Sequence, residues 1–187
     1  MSRGRASRFL RVLSAAAVVA QAAVWIRASM WYPQLPSRFP IHFDGSGNAD
    51  SWVNTTPVAW FGLCVIPLAL GAFLGAIARW MTSLTTSCPA LVNVPRKDLF
   101  LKLSPEGRGC VARPVQLHLV WTVLLVTMLF TFIQEGTARV AVGAWTKLPP
   151  WPVFAFIGGV VLPLPWLMIA TRRAVETTAR AEGVDGA

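Results

Sequence analysis

Charge is scarce in this chain, and negative charge scarcest. Only 13% of the 187 residues are charged, with eight Asp or Glu against seventeen Lys or Arg. Soluble domains carry about 25% charged residues, so composition argues against an ordinary soluble enzyme. The three cysteines, Cys64, Cys88 and Cys110, lack CxxC spacing and imply neither a disulfide framework nor a thiolate metal site. No phosphate-binding glycine loop, HExxH or GxSxG occurs, and no serine stands at a suggestive spacing from a histidine. The chain therefore reads as a non-enzyme with no cofactor. It has no internal repeat and no disordered linker beyond short tails before Phe9 and after Arg180.

What is abundant is apolar sequence: 55% of residues are hydrophobic and the mean hydropathy is +0.54. A helix crossing about 30 Å of hydrocarbon needs roughly 20 mostly apolar residues, with every backbone amide satisfied inside the segment. Four stretches meet this requirement, at about 9–31, 57–81, 114–134 and 151–171. Pro57 and Pro114 suit helix starts, where the missing N–H costs nothing. Trp25, Trp31, Trp52, Trp60, Trp145 and Trp151 are expected toward one headgroup layer, and Trp80, Trp121 and Trp166 toward the other. The expected fold is an all-α integral membrane protein: one domain over 1–187, built as a four-helix transmembrane bundle.

Orientation follows from Lys and Arg, which are retained on the cytoplasmic side. One face collects Arg3, Arg5, Arg8, Arg11, Arg79, Arg96, Lys97, Lys102, Arg108, Arg113, Arg172, Arg173 and Arg180; the other has Arg27, Arg38, Arg139 and Lys147. Thirteen against four predicts both termini inside, a Pro-rich outer loop at 32–56 and an inner loop at 82–113. The sequence pI of about 11.0 is then explained by the lipid bilayer as partner, without nucleic acid. For the first span the alternative is a secretory leader, although its apolar run is long for one and Trp25, Trp31 and Tyr32 suit an interfacial anchor better.

The outer loop reads Tyr-Pro-x-Leu-Pro-x-x-x-Pro-x-His-Phe, then Gly-x-x-Asp-x-Trp, on Tyr32, Pro33, Leu35, Pro36, Pro40, His42, Phe43, Gly47, Asp50 and Trp52. Its prolines favour an extended path, and Asp44 to Asp50 has turn chemistry. This pattern resembles the bacterial membrane family called domain of unknown function 1648, a module that also begins the SdpI-type immunity proteins. A second match lies in the inner loop, on Asn93, Pro95, Lys97, Asp98 and Phe100, followed by Pro105, Glu106 and Arg108. The resemblance implies a multi-pass protein of the bacterial inner membrane with an immunity or envelope-sensing role. Its outer loop would meet an extracytoplasmic peptide or ligand, and its inner loop a cytoplasmic protein partner.

Four constellations have competing readings. His42, Asp44 and Asp50 would suit a divalent cation or a proton-sensitive site. The preferred reading is a loop fold, with no metal, in which His42 and Asp44 bond to backbone amides and Asp50 caps the turn. Arg27 and Glu135, at similar expected depth, either pair or snorkel separately. His118 is read as a neutral donor between helices rather than a proton relay. Gly71 and Gly75 form a GxxxG that serves interior packing or a homodimer. A small transporter using Arg27, His118 and Glu135 is the alternative function.

Overall fold

The computed structural model describes residues 3–184. Among these described residues, α-helices and one hairpin follow in the order α1 (Arg3–Trp31), β1 (Arg38–Phe43), β2 (Ala49–Asn54), α2 (Pro57–Ser87), α3 (Lys97–Phe100), α4 (Pro105–Val111), α5 (Arg113–Ala141), α6 (Trp151–Val161) and α7 (Leu164–Ala181). Among the described residues, four helical segments are long and apolar enough to cross a membrane: Arg8–Gln34, Pro57–Ser87, Pro105–Ala141 and Trp151–Ala181. Their apolar side chains point outward as well as inward, with Val58 85% and Leu162 78% exposed. Water would penalise so large an apolar exterior, whereas lipid matches it. The protein is a multi-pass membrane protein.

The helices outrun the hydropathy windows, each for a local reason. Beyond Met81, α2 continues through Ser87, and the hydroxyls of Thr82, Thr85 and Thr86 are satisfied there by carbonyls of the preceding turn. α5 continues past Gln134 because Glu135 finds cationic partners, described below. The fourth segment breaks at Leu162 and Pro163, where the proline ring cannot continue the helical bond pattern. The stretch 82–113 is mostly helical rather than a loop.

The chain divides into two compact units. The hairpin unit comprises residues 14–71 and 122–160. Its core is Val24, Ala28, Phe39, Trp60, Cys64 and Ala138, with Phe39 set edge-on to Trp60 at 5.3 Å. Trp60 is therefore a core residue rather than an interfacial anchor: it is fully buried, and its indole N–H donates to the Ala28 carbonyl at 2.9 Å. Gly71 also belongs here, since a side chain on it would press on Val123 Cγ1.

The loop unit comprises residues 1–13, 72–121 and 161–187. Val92, Leu99, Phe100, Leu103, Val111, Val175 and Ala179 form its core, packing α3 and α4 onto α7. Ser104 caps α4 by accepting from the Gly107 N–H at 3.0 Å, with Pro105 and Glu106 in the favoured first-turn positions. Glu182 in turn accepts from both the N–H and the hydroxyl of Ser104, at 2.8 and 2.6 Å. Gly75 of this unit meets nothing within 4 Å where a side chain would start.

Candidate functional site

The stretch expected as an extended path is a twisted antiparallel hairpin. A short 3-10 turn, Tyr32–Gln34, leaves α1 and holds Tyr32 against Phe61 at 5.5 Å. Leu35 packs on the hairpin unit's core, and the Pro36 carbonyl accepts the Thr55 hydroxyl at 2.6 Å. In β1, Phe39 and Pro40 are buried, and Pro40 stands opposite Trp52. The carbonyl of Trp52 accepts from the Arg38 guanidinium at 3.1 Å. The prolines thus set the approach to the hairpin, while the turn closes it.

Two irregularities follow each other in the ladder. Pro40 pairs with Trp52 but His42 with Ser51, so Ile41 is an extra residue on β1; Phe43 then pairs with Ala49, so Asp50 is an extra residue on β2. Bulges of this kind re-aim side chains and bend the strand. They bring His42 Nδ1 to 2.6 Å from Asp50 Oδ1 on an exposed face. The expected backbone partner for His42 and the capping role for Asp50 are replaced by this mutual contact.

Asp44 makes the turn. One carboxylate oxygen accepts from the Ser46 and Asn48 amides at 2.8 and 2.9 Å, the other from the Asn48 side chain at 3.1 Å. The Asn48 backbone and side-chain donors, with those of Ser46 and Gly47, hold the Asp44 carboxyl below its ordinary value. That carboxylate is committed to the turn, and among the described residues no three His, Cys, Asp or Glu side chains converge as metal ligands.

Gly47 is required twice over. Its φ of 84° is in the left-handed region, and a side chain there would run into the Leu148 carbonyl oxygen. The Leu148 N–H donates to the Gly47 carbonyl at 2.8 Å, tying the turn to the segment before α6. The Leu148 side chain is seated over Gly136, where any Cβ would displace it. Between hairpin, α5 and α6 this leaves a cleft of about 330 Å³, bordered by Ile41 to Asp44 and floored by apolar residues including Leu63, Ile133, Val153 and Phe154.

Deeper in the hairpin unit, Arg27 and Glu135 are paired at 2.7 Å, which decides between pairing and separate snorkelling. Sequence reasoning missed the other two partners of Glu135: the Trp31 indole N–H at 2.8 Å and Arg139 at 2.8 Å. Arg139 lies one turn beyond Glu135, a spacing at which opposite charges meet on a helix. Its guanidinium also covers the Trp145 ring at 5.1 Å. Gln21 donates to Thr127 at 2.8 Å, and the Cys64 thiol to Gln134 at 3.3 Å.

The family match is now interpretable. Residues 19–67 match the model described as Domain of unknown function (DUF1648). This DUF1648 segment lies wholly in the hairpin unit and runs from α1 through the hairpin into α2. It supplies Arg27, Trp31, Asp44, Gly47 and Trp60, whereas Glu135 and Leu148 come from outside it. No curated protein and no solved structure matches the chain.

The remaining sequence candidates lie in the loop unit, outside the DUF1648 segment. Phe100 is fully buried in that unit's core, and Lys97 donates to the Ala90 carbonyl at 2.7 Å. Asp98 stands 3.5 Å from Arg96, whose φ of 55° turns the chain into α3 just after Pro95. Asn93 precedes this bend, and Arg108 donates to the Leu103 carbonyl at 3.0 Å. This second motif shapes a packed helical cap. His118 is half-buried on α5 of the loop unit, and so belongs to a different unit from Arg27 and Glu135.

Proposed function

We propose that this protein is an immunity or envelope-sensing accessory of the bacterial inner membrane whose hairpin receives an extracytoplasmic peptide. The observation that carries the reading is the cleft of about 330 Å³ beside β1. Among the described residues β1 pairs only with β2, so its second edge offers main-chain donors and acceptors to an extended segment, with apolar side chains directed at the cleft floor. The exposed His42 lines the cleft, and Asp50 is bonded to it, so the pair can meet a polar group of the peptide.

Both termini are assigned to the cytoplasm. The four Lys and Arg expected outside all fall in the hairpin unit, and the thirteen expected inside all fall in the loop unit. This partition supports the orientation because positive charge is retained on the cytoplasmic side. The helical cap of α3 and α4 then offers a surface to a cytoplasmic partner, and the open side of Gly75 a contact for a second copy. The transporter alternative draws less support, since Arg27 and Glu135 neutralise each other and Trp31 and Arg139 take up further bonding capacity of the carboxylate.

The test is complementation of a deletion strain challenged with secreted toxic peptides, with membrane levels of each variant matched. Wild type should restore resistance, and His42→Ala combined with Asp50→Ala should not. A deletion strain as resistant as its parent to every peptide would overturn the reading.

A further inference from the structure

We infer that the loop unit anchors its cap in an anionic phospholipid layer, with Leu91 and Leu101 among the lipids and Lys97 and Lys102 on their headgroups. The inference goes beyond the proposed function, because it holds whatever the hairpin receives. Charge balance comes first. Residues 1–13, 72–121 and 161–187 contain thirteen Lys or Arg against five Asp or Glu, so eight cations remain in excess however the groups pair within the unit. A surplus of that size beside a membrane attracts anionic headgroups over neutral ones.

Part of that surplus lies on one stretch of the cap. α3 sends Leu99 and Phe100 into the core and leaves Lys97 and Asp98 exposed, and the next two residues, Leu101 and Lys102, are exposed as well. Leu91, at the end of a 3-10 turn (Pro89–Leu91), is 74% exposed and Leu101 43%. The Lys97 ammonium donates to the Ala90 carbonyl at 2.7 Å, which fixes a cation beside the turn that carries Leu91. That bond uses one of the three donors of an ammonium. The acid of the stretch, Asp98, faces Arg96 at 3.5 Å. Apolar anchors with flanking lysines are the composition of segments that lie in a membrane interface.

The tether selects lipid as the occupant. Leu91 follows the span Pro57–Ser87 by four residues, and Leu101 precedes the span Pro105–Ala141 by four. Four residues of chain reach about 14 Å at most, so neither leucine can leave the neighbourhood of a span end. Lipid is met there without the entropy cost of association that a soluble partner bears. The exposed Pro105 and Glu106 of α4 stay available to a cytoplasmic partner.

The test is nitroxide quenching of a fluorophore on the full-length protein in vesicles. A nitrobenzoxadiazole label is placed at Asn93→Cys, an exposed position inside the stretch, with Cys88→Ser and Cys110→Ser; Cys64 is fully buried and does not react. The vesicles hold phosphatidylcholine alone or mixed equally with phosphatidylglycerol, each doped with a lipid carrying a nitroxide on its acyl chain near the headgroup. Quenching should be about twofold or more greater in the anionic vesicles, since each lysine near an anionic surface strengthens attachment about fivefold. Lys97→Gln with Lys102→Gln should reduce it to the phosphatidylcholine level, and Leu91→Ser with Leu101→Ser should do the same. Lys97→Arg with Lys102→Arg should retain most of the difference, which separates loss of charge from loss of fold. A label at Met168→Cys, 67% exposed within the fourth span, should be quenched alike in both vesicles and verifies insertion. Quenching at position 168 but not at 93 would overturn the inference, and access of aqueous iodide to position 93 would then show whether water or a second copy covers the stretch. Equal quenching at 93 in the two vesicles, or an undiminished difference in the double Gln variant, would overturn it as well.

Discussion

Leu148 donates its backbone N–H to the Gly47 carbonyl at 2.8 Å, and its own carbonyl oxygen fills the space in which a side chain on Gly47 would begin. One backbone thus locks the hairpin turn to the segment that leads into α6. The geometry of the turn is local, set by Asp44, but its position in the unit is fixed by a residue about a hundred positions away. Gly47→Ala combines a left-handed strain with a backbone collision, and should cost about 2 kcal/mol or more. Gly45→Ala, where nothing lies within 4 Å, should stay within about 0.5 kcal/mol of wild type. Thermal unfolding of the two variants in detergent distinguishes them, and equal melting temperatures would contradict this account.

Glu135 joins α1 to α5 through Arg27 and Trp31, and steadies the end of α5 through Arg139. Its side chain is 20% exposed, while those of Arg27 and Arg139 are 45% and 41% exposed, so solvent screens part of each attraction. Glu135→Gln should destabilise the protein by about 1–2 kcal/mol, more than Arg27→Gln, because it affects three partners rather than one. Trp31→Phe removes one hydrogen bond and should cost about 1 kcal/mol. A double-mutant cycle on Arg27 and Glu135 with no coupling would show that the pair contributes nothing to stability.

The turn carries a pH dependence of known sign. The Asn48 backbone and side-chain donors hold the folded-state carboxyl of Asp44 below its ordinary value near 3.8. Its contribution is therefore fully present above that ordinary value, and is lost as pH falls through the lower folded-state value. Unfolding measured from pH 6 downward should show wild type losing stability on the acid side more than Asp44→Asn, which cannot titrate. Parallel pH profiles for the two proteins would remove the turn from the account.

The parts legible in the sequence were those written as local pattern. Apolar length gave the spans, but not the break between α6 and α7 in the fourth. Hydropathy stopped at Gln134 because Glu135 is charged, yet the charge is what anchors that end of the helix. An interfacial place for every tryptophan fails at Trp60, whose indole finds a buried carbonyl on α1, a partner only the tertiary fold provides. The His42–Asp50 contact depends on two successive bulges, and no periodicity announces a bulge. Leu148 carries no motif, because its contribution to Gly47 is made by the backbone.

Gln134 provides the sharpest separation of stability from function. Its side chain is 3% exposed on α5, and among the described residues its carbonyl oxygen accepts only from the weak Cys64 thiol donor at 3.3 Å and its buried Nε2 has no partner. A buried amide left half-satisfied costs about 1–3 kcal/mol, and an apolar replacement of similar size removes that cost along with one weak bond. Gln134→Met should therefore be neutral or raise stability by about 1 kcal/mol, measured by unfolding in detergent. Cys64→Ala removes the thiol and leaves the Gln134 carbonyl oxygen unpaired as well, so it should destabilise by about 1 kcal/mol or more. If Gln134→Met instead lowers stability as much as Cys64→Ala does, the amide has a partner in the membrane-embedded protein, such as a buried water. If it raises stability but abolishes rescue of the deletion strain, the orphaned donor is retained for what the hairpin unit does rather than for how it folds.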